Sequence, residues 1–573
     1  MIPVLGINTG IFFVFLQNFR QVLFNRGLRR TQHDRSAMIR INEIKLPLDH
    51  PEAAIAEAIC KKLDLKPHEL LEYEIFKRSF DARKKHNIFL VYVVDIKTHK
   101  DKSLLKRFRR DPHVVETPDM TYKMVGYAPK NLEMRPIVVG MGPCGMLAGL
   151  MLARMGFRPI ILERGKQVDE RTKDTFAFWK KRGKFNPESN AQFGEGGAGT
   201  FSDGKLYSQV RDRQHYKRKV LEEFVEAGAN PEILYIAKPH IGTFKLVGVV
   251  KRMRATIESL GGEIRFQSKV KTVEIENRKV KGVTLENGEF IASSHVVMAM
   301  GHSARETFQM LYDQGVYIEP KPFSIGFRIE HPQPLIDECR YGEFAGNKTL
   351  GAADYKLVHH CKNGRSVYSF CMCPGGLVIG AASEPGMVVT NGMSQYSRNE
   401  RNANAGIVVG ITPEEDYPDH PLAGIDLQRK FESKAFELGG KDYSAPGQLV
   451  GDFLAGRSSE ELGKVKPSYA PGVKLTDLSE ALPDFAIEAI REALPAFDKK
   501  IKGFAMDEAM LTGVETRTSS PIRIKRGKDF QSINTEGLYP GGEGAGYAGG
   551  ILSAGIDGVK LAEAIAQNIL KIQ

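Results

Sequence analysis

Three glycines have the spacing with the clearest chemical meaning, in the motif Gly140-x-Gly142-x-x-Gly145. A β-branched run of residues 136–139 precedes the motif, and the apolar stretch after it, residues 146–155, predicts a helix. In such a strand–turn–helix unit the first glycine makes the tight turn, the second lets the backbone approach a pyrophosphate, and the third packs the helix on the strand. The unpaired N–H groups of the helix N-terminus then bind phosphate. The motif therefore predicts a dinucleotide-binding site.

An acidic residue stands where such a site needs one. A second short strand, predicted over residues 159–162, ends at Glu163, and a carboxylate about 20 positions after the motif accepts a hydrogen bond from a ribose hydroxyl. The residues of this unit that we predict to contact the ligand, besides the glycines, are Pro143, Cys144, Glu163 and Arg164.

Two further glycine-rich segments predict loops against the same ligand. Residues 192–205 lack helical or strand periodicity. They form either a ligand-contacting loop, which lies against a phosphate or a flat ring, or a mobile surface loop. Residues 537–551 precede a predicted helix over 552–570, and eight glycines fall between residues 541 and 558. A glycine-lined strand end that leads into a helix N-terminus is a second anion-facing site. The predicted contacts are Gly197, Gly199, Thr200, Ser202, Gly542, Gly549, Gly550 and Ile551.

The rest of the nucleotide-binding part reads as strands around these loops. Strands at 270–275, 279–285 and 289–291 predict a meander, with a hairpin turn at 286–288. The meander feeds an apolar strand at 295–301, and residues 261–266 predict another, buried strand. Ligands of open α/β sheets bind at the carboxyl ends of strands, so we add the small residues Ala299 and Gly301 to the predicted contacts.

Length and composition limit the classes of protein. The chain has 573 residues, of which 42% are hydrophobic and 26% charged, so it can bury a large core and is not disordered. Six irregularly spaced cysteines indicate a reducing compartment, the cytoplasm, without a disulfide framework. No C-x-x-C or H-E-x-x-H motif occurs, and we predict no structural metal.

The net charge of +12 is concentrated near the N-terminus. Residues 1–130 hold 24 Lys and Arg against 15 Asp and Glu, so nucleic-acid binding by the whole protein is not indicated, and any electrostatic partner should meet this part. Residues 1–37 are predicted to be a disordered leader or a misassigned start, with an organellar transit peptide as the alternative. The longest apolar run, residues 11–16, is far short of the roughly 18 to 20 residues that span a bilayer.

Patterning divides the remainder into four segments. Residues 38–130 predict an N-terminal α+β domain of the ferredoxin-like order βαββαβ. Its strands are expected at 39–46, 73–80, 88–96 and 122–125, and its helices at 52–63 and 102–110. Residues 131–320 and 505–573 predict the two parts of a Rossmann-type α/β domain. Residues 321–504 predict an inserted mixed β/α domain for the substrate.

On these residues the sequence resembles FAD-dependent oxidoreductases of the glutathione-reductase-like superfamily. Within it the bacterial group of FAD-dependent dehydrogenases is the most similar, from Met38 to the C-terminus. The segments that carry the resemblance are 140–163, 194–204, 237–243, 299–303, 321–331, 369–376 and 541–546. The resemblance implies FAD as the cofactor, with Glu163 on the adenosine ribose, Val270 near the adenine and Glu543 on the ribityl chain.

Two departures from the superfamily matter. The C-x-x-x-x-C of its dithiol reductases is missing, so a disulfide reductase is not expected. A second strand-linked G-x-G-x-x-G is also missing, so we expect no built-in NAD(P)H domain, and NAD(P)H remains open only as a transient electron donor.

Candidates for chemistry beside the flavin are weaker. His302, His240, Arg517 and Lys205 are the polar candidates for proton transfer, although a structural role is the commoner case for each histidine. Cys371 and Cys373 are either a redox pair or nucleophile, or small packing residues on opposite faces of a strand, which we favour. Arg328 and His331 are placed on the substrate sheet, where Arg328 would bind a carboxylate or phosphate.

The sequence thus predicts a cytoplasmic FAD-dependent oxidoreductase that acts on an unidentified small molecule by hydride transfer at flavin N5. One alternative is a flavoprotein that binds RNA or a protein partner through its basic N-terminal domain. The other is a flavin-binding module without turnover. Oligomeric state is not predicted.

Overall fold

The computed structural model describes residues 38–208 and 210–571. The predicted leader, residues 1–37, lies outside them. The described chain divides into two compact units. Residues 38–46, 50–76 and 92–119 belong to the first, and residues 47–49, 77–91 and those from 120 onward belong to the second.

The first unit is built on a four-stranded sheet and two helices. Its elements follow one another in the order β-α-β-β-α-β, and the strands lie in the order β2-β3-β1-β4, with β1 and β4 antiparallel. Their bounds are β1 Ile39–Pro47, α1 Ala53–Leu63, β2 Leu70–Asp81, β3 Phe89–Thr98, α2 Asp101–Arg107 and β4 Val114–Glu116. Arg40 on β1 and Asp95 on β3 form a two-pronged ion pair, with N–O distances of 2.7 and 2.8 Å.

The predicted last strand of this unit was misplaced. Residues 122–125 form no strand, and the strand that pairs with β1 is β4, where Glu116 lies opposite Ile39. Instead, Tyr122 donates a hydrogen bond to Glu563 at 2.7 Å, and Val125 packs on the apolar core of the second unit. Apolar residues near 122–125 therefore cover a neighbouring element rather than form a ladder.

The second unit holds the remaining elements, numbered on along the chain. Its helices are α3 Pro143–Arg154, α4 Val168–Trp179, α5 Tyr216–Glu226, α6 Thr243–Ser259, α7 Arg305–Asp313, α8 Gln333–Tyr341, α9 Pro413–Asp416, α10 Ala423–Leu438, α11 Val450–Ala455, α12 Asp484–Asp498 and α13 Ile551–Leu570. Its strands are β5 Ile137–Val139, β6 Ile160–Leu162, β7 Glu263–Arg265, β8 Val270–Glu276, β9 Lys279–Leu285, β10 Phe290–Ala292, β11 Val296–Met298, β12 Ile318–Pro320, β13 Phe323–Pro332, β14 Val358–His360, β15 Ser366–Cys373, β16 Gly376–Gly380, β17 Thr390–Ser394, β18 Asn402–Ile411, β19 Ala445–Leu449, β20 Val473–Leu475, β21 Met510–Glu515, β22 Ile522–Ile524 and β23 Leu538–Pro540. Within the described chain, no helix combines the length and the apolar character of a membrane span.

A five-stranded parallel sheet carries the glycine motif. Its order is β23-β11-β5-β6-β7, and every neighbouring pair is parallel. The predicted strand at 261–266 is present as β7, but it lies at the sheet edge and is half-buried rather than buried. The meander β10-β9-β8 forms as expected. The fold is therefore α/β, with β5 and β11 delivering their carboxyl ends side by side.

A second, seven-stranded sheet is inserted between β11 and β23. Its order is β14-β15-β18-β13-β21-β19-β20, and only β19 and β20 pair in parallel. The sheet continues past the predicted boundary at residue 504, because β21 fills the place between β13 and β19. A boundary drawn from composition missed this strand, since its partners lie far away in the sequence.

A buried ion cluster ties α10 to the loops around it. Glu432 on α10 is fully buried and binds two guanidinium groups, Arg305 at 2.7 Å and Arg517 at 2.8 Å. Burial would raise the pKa of the Glu432 carboxyl, but the two arginines lower it to about 2. The carboxylate is therefore ionised at neutral pH and is the anion that makes burial of both arginines tolerable.

We expect Glu432→Ala to destabilise the protein by about 3 to 5 kcal/mol, because buried Arg517 then keeps only hydroxyl partners and buried Arg305 keeps Glu384 as its remaining carboxylate. The midpoint of urea unfolding measures this. Lys434→Ala on the same helix is the matched control: its ammonium lies 3.6 Å from Glu480 and is partly exposed, so the loss should stay within about 1 kcal/mol. Equal midpoints for the two variants would contradict the assigned role of Glu432.

Candidate functional site

One cavity of about 450 Å³ lies in the second unit where the glycine-rich segments meet. Ligand cavities are commonly about 300 to 1,000 Å³. Nearly all of the predicted cofactor contacts line it: Gly140, Gly142, Pro143, Cys144, Glu163, Arg164, Gly197, Gly199, Ser202, Val270, Ala299, Gly301, Gly542, Glu543, Gly549, Gly550 and Ile551. Gly145 and Thr200 are the exceptions, and both are buried behind the lining.

The turn after β5 is built by backbone contacts that no side chain would permit. Gly140 has φ +96°, and a Cβ there would lie 2.6 Å from the Ala299 carbonyl oxygen. A Cβ on Gly145 would lie only 1.9 Å from the Gly140 carbonyl oxygen, so only glycine fits at this position. A Cβ on Gly197 would lie 2.8 Å from the Gly142 Cα. Two loops therefore meet backbone to backbone at the N-terminus of α3.

Glu163 holds this end of the cavity together. Its carboxylate accepts backbone N–H bonds from Met141 at 2.9 Å, Gly165 at 2.9 Å and Gly194 at 3.0 Å. The side chain is buried but still lines the cavity. One carboxylate thus joins the glycine turn, the end of β6 and the second glycine-rich loop.

The far part of the cavity is lined by the N-terminus of α13. Gly550 precedes the helix with φ +82°, and Gly549 and Gly550 have no atom within 4 Å of the place where a Cβ would project. The same is true of Gly301, at the end of β11. Open space beside backbone at two helix N-termini suits an anionic ligand.

These features fit a flavin dinucleotide. The first turn of α3 would hold the pyrophosphate and Glu163 the adenosine ribose, while the N-terminus of α13 would face the electron-rich pyrimidine edge of the flavin. The space that side chains would otherwise fill, at Gly301, Gly549 and Gly550, is left free along the cavity wall.

His302 lies on the cavity wall in contact with an acidic residue. Its Nδ1 is 3.2 Å from the Glu543 carboxylate, and because a carboxylate only accepts, Nδ1 carries the proton. Burial would raise the pKa of the Glu543 carboxyl, but His302, the Gly550 N–H and the charge of Lys321 hold it below its usual value. His302 is thus oriented with Nε2 as its free ring nitrogen.

Arg517 also reaches the cavity, but its guanidinium is already engaged. It donates to Glu432, to Ser303 at 2.9 Å and to Ser383 at 2.5 Å. Lys205, on the second glycine-rich loop, donates to the carbonyl of Met372 and lies 3.2 Å from Asp203. These cations support the wall of the cavity.

Three predicted candidates are structural. His240 Nε2 bonds the Tyr396 carbonyl at 2.9 Å, and His331 Nε2 bonds the Phe504 carbonyl at 2.7 Å; neither lines the cavity. Arg328 is fully buried and bound by Glu515 at 2.9 Å, so its expected role on a substrate carboxylate or phosphate is wrong. Its acidic partner lies 187 positions away, which no local pattern reveals.

The expectation that Cys371 and Cys373 point to opposite faces of a strand is wrong, because residues two apart in a regular strand share a face. Here the strand is also bulged before Cys373, and the Cys373 Sγ donates to the Cys371 carbonyl at 3.3 Å. Cys371 lines the cavity, whereas Cys373 is fully buried behind it.

Sequence reasoning missed several residues of the cavity wall: Phe370, Val389, Thr390, Asn391 and Glu515. Most come from β15 and β17, whose place beside the parallel sheet depends on long-range pairing. Glu515 alone had a usable signal, since it stands two residues before the candidate Arg517.

A second group of side chains lies away from this cavity. Within the described residues, His359, Cys361 and Glu492 place one ligand atom each within 4.8 Å of one another. His359 and Glu492 already form an ion pair at 3.1 Å, and backbone N–H of Lys362 bonds the same carboxylate. The prediction of no structural metal therefore stays a prediction.

Comparison with known proteins identifies relatives. A protein of Clostridium beijerinckii (strain ATCC 51743 / NCIMB 8052), described as an uncharacterized protein, is 48% identical over 530 residues, which is 92% of this chain and 98% of the relative. The chain belongs to the family of this protein. Residues 322–518 match a family model described as "FAD-dependent protein, C-terminal domain-like", and residues 38–97 match a domain of unknown function. The first of these matches covers the inserted sheet, including β21.

Solved structures with a similar arrangement are distant. L-proline dehydrogenase from P. horikoshii is 14% identical with a TM-score of 0.32, over 76% of this chain and 94% of that one. Glycine oxidase from Bacillus cereus is 12% identical with a TM-score of 0.30, over 76% and 97%. Likenesses at this level do not identify an activity, and the finer assignment to the glutathione-reductase-like superfamily stays a prediction.

We expect Gly145→Ala to lower the thermal unfolding midpoint, because its methyl group would meet the Gly140 carbonyl oxygen at 1.9 Å and overpacking costs about 1 to 3 kcal/mol. Gly410→Ala on β18 is the control, since no atom lies within 4 Å of its new Cβ and the residue lies outside the cavity. Thermal unfolding of both variants beside the wild type checks this. A Gly145→Ala protein as stable as the wild type would show that the turn is not packed as described.

Proposed function

We propose that this protein is an FAD-dependent oxidoreductase that takes a hydride from a small-molecule substrate at flavin N5. The observation that carries the proposal is that three glycine-rich segments, far apart in the chain, meet around one cavity. Two of these segments lead into a helix, α3 and α13, whose N-terminus lines the cavity. The match of residues 322–518 to FAD-dependent proteins supports FAD as the cofactor.

The residues of this chain would divide the work by position. The N-terminus of α3 and Glu163 bind the nucleotide half, and the apolar side chains of Phe370 and Val389 exclude water from the other half. When bound, FAD supplies two-electron chemistry at N5. His302, held by Glu543, is placed to hold or pass a proton at Nε2.

We expect the purified full chain to be yellow with bound FAD, and Glu163→Gln to bind FAD about tenfold more weakly. The amide cannot accept all three backbone N–H bonds, and a lost hydrogen bond to a charged group is worth about 1.5 to 3 kcal/mol. Glu536→Gln is the control, because Glu536 is exposed and outside the cavity. Flavin absorbance after dialysis against known FAD concentrations measures the affinity.

A colourless protein that does not bind added FAD would contradict the proposal. The holoprotein is mixed anaerobically with compounds of different substrate classes and with NAD(P)H, and the loss of flavin absorbance is recorded for each. Bleaching by a small molecule supports an oxidoreductase, and bleaching by NAD(P)H alone identifies it as the donor. No bleaching by any compound favours a flavin-binding module without turnover.

A further inference from the structure

The strand that carries the two cysteines is distorted where it reaches the cavity. β15 pairs with β18 up to Phe370, opposite Gly406, and the register then shifts before Cys373, opposite Asn404. Cys371 sits in this bulge with φ +42°, a left-handed conformation that residues other than glycine seldom adopt. Bulges often re-aim a side chain next to a functional site. Here the bulge exposes Cys371 to the cavity and keeps Cys373 buried beside it.

The two thiols are within reach of each other. Cys373 Sγ lies 3.3 Å from the Cys371 carbonyl oxygen, so the buried side chain folds back over its neighbour. Cα atoms two positions apart in a strand are separated by about 6.6 Å at most. Disulfides span Cα separations of about 4.4 to 6.8 Å. Closure of an S–S bond therefore needs rotation of the side chains rather than a rebuilt sheet.

The surroundings favour a thiolate at Cys371. The hydrogen bond with Cys373 and the charges of Lys205 and Arg328 lower the pKa of the Cys371 thiol well below its usual value, although burial acts against them. Hydrogen bonding to Cys371 and burial raise the pKa of the Cys373 thiol. The charged or titratable groups that face Cys371 are Lys205, Arg328, Asp203, Glu515, Tyr207 and Cys373.

A third cysteine of the cavity shows that the environment is specific. Cys144 also lines the cavity, in the first turn of α3. Burial and the charge of Asp557 raise the pKa of its thiol well above the usual value. Packing in this cavity alone therefore does not lower the pKa of a thiol; at Cys371 the hydrogen bond with Cys373 and the nearby cations lower it.

We propose that Cys371 and Cys373 are a redox-active dithiol that exchanges two electrons with the flavin. This inference rests on the proposed function, which supplies the flavin as the electron partner. On oxidation, the Cys371 thiolate and the Cys373 thiol lose two electrons and one proton while the S–S bond forms. The two electrons and the proton reduce oxidised FAD, and the reverse step returns them to the sulfurs.

A count of reducing equivalents in the full holoprotein tests the exchange. The protein is oxidised with excess ferricyanide, desalted and titrated anaerobically with dithionite. We expect the wild type to take up twice as many electrons per bound FAD as Cys373→Ser, because only the wild type can hold a disulfide as well as oxidised flavin. Cys371→Ser should match Cys373→Ser. Cys339→Ser is the control and should match the wild type, since Cys339 lies on α8 outside the cavity.

Alkylation with iodoacetamide and peptide mass measurement give a readout independent of the flavin. In the oxidised wild type, the peptide that contains residues 371–373 should carry no label. Its mass should be two hydrogens below that of the same peptide with two free, unlabelled thiols. In the reduced protein at pH 6, Cys371 should label faster than Cys339.

The outcomes separate the two proposals. FAD that binds normally, with equal electron uptake in wild type and Cys373→Ser and with both thiols free after oxidation, overturns the dithiol and leaves the oxidoreductase standing. Failure to bind FAD overturns both. Flavin content and the unfolding midpoint of each serine variant show whether that variant has folded. If neither Cys371→Ser nor Cys373→Ser folds, the mass measurement on the wild type decides whether the disulfide forms.

Discussion

The close approach of backbone to backbone around one cavity is the constraint on which this structure depends. Gly140, Gly145 and Gly197 occupy places where a Cβ would collide with a neighbouring main-chain atom. Each glycine in an ordered position costs about 0.5 to 1 kcal/mol in conformational entropy relative to alanine. That cost is offset by what the bare backbone allows: the N-termini of α3 and α13 both open onto the cavity, and their N–H groups are fixed by the parallel sheet behind them.

A buried charge cluster positions the other side of the cavity. Glu432 on α10 belongs to the inserted part, Arg305 begins α7 after the parallel sheet, and Arg517 follows β21. Arg517 shares its guanidinium between Glu432 and the hydroxyls of Ser303 and Ser383. Because removing Glu432 leaves Arg517 without a carboxylate in the interior, the cluster favours the arrangement in which these segments meet. The cavity wall is thereby held to the strand ends that receive the ligand.

Local chemistry made the nucleotide end predictable, and long-range pairing hid the rest. The turn from Gly140 to Gly145 is determined by residues within a few positions, so its spacing specifies both geometry and use. The last strand of the first unit was misplaced because alternating apolar residues near 122–125 satisfy the same pattern as Val114–Glu116, and only pairing with β1 decides between them. Arg328 likewise has an acidic partner from a strand that composition did not assign to its sheet.

Positive charge reaches the cavity wall beside Cys371 and at the starts of two helices. Each helix N-terminus acts as roughly half a positive charge, and Lys205 adds a full one at the wall. Asp203 is paired with Arg398 at 2.5 Å and Glu515 with Arg328 at 2.9 Å, whereas Glu163 and Glu543 also line the cavity and bring negative charge to it. Negative charge on the Cys371 sulfur is stabilised by the nearby Lys205 and Arg328. In the proposed holoprotein, the N-terminus of α13 would stabilise a reduced ring in the same way, so that the ring and the dithiol could exchange electrons.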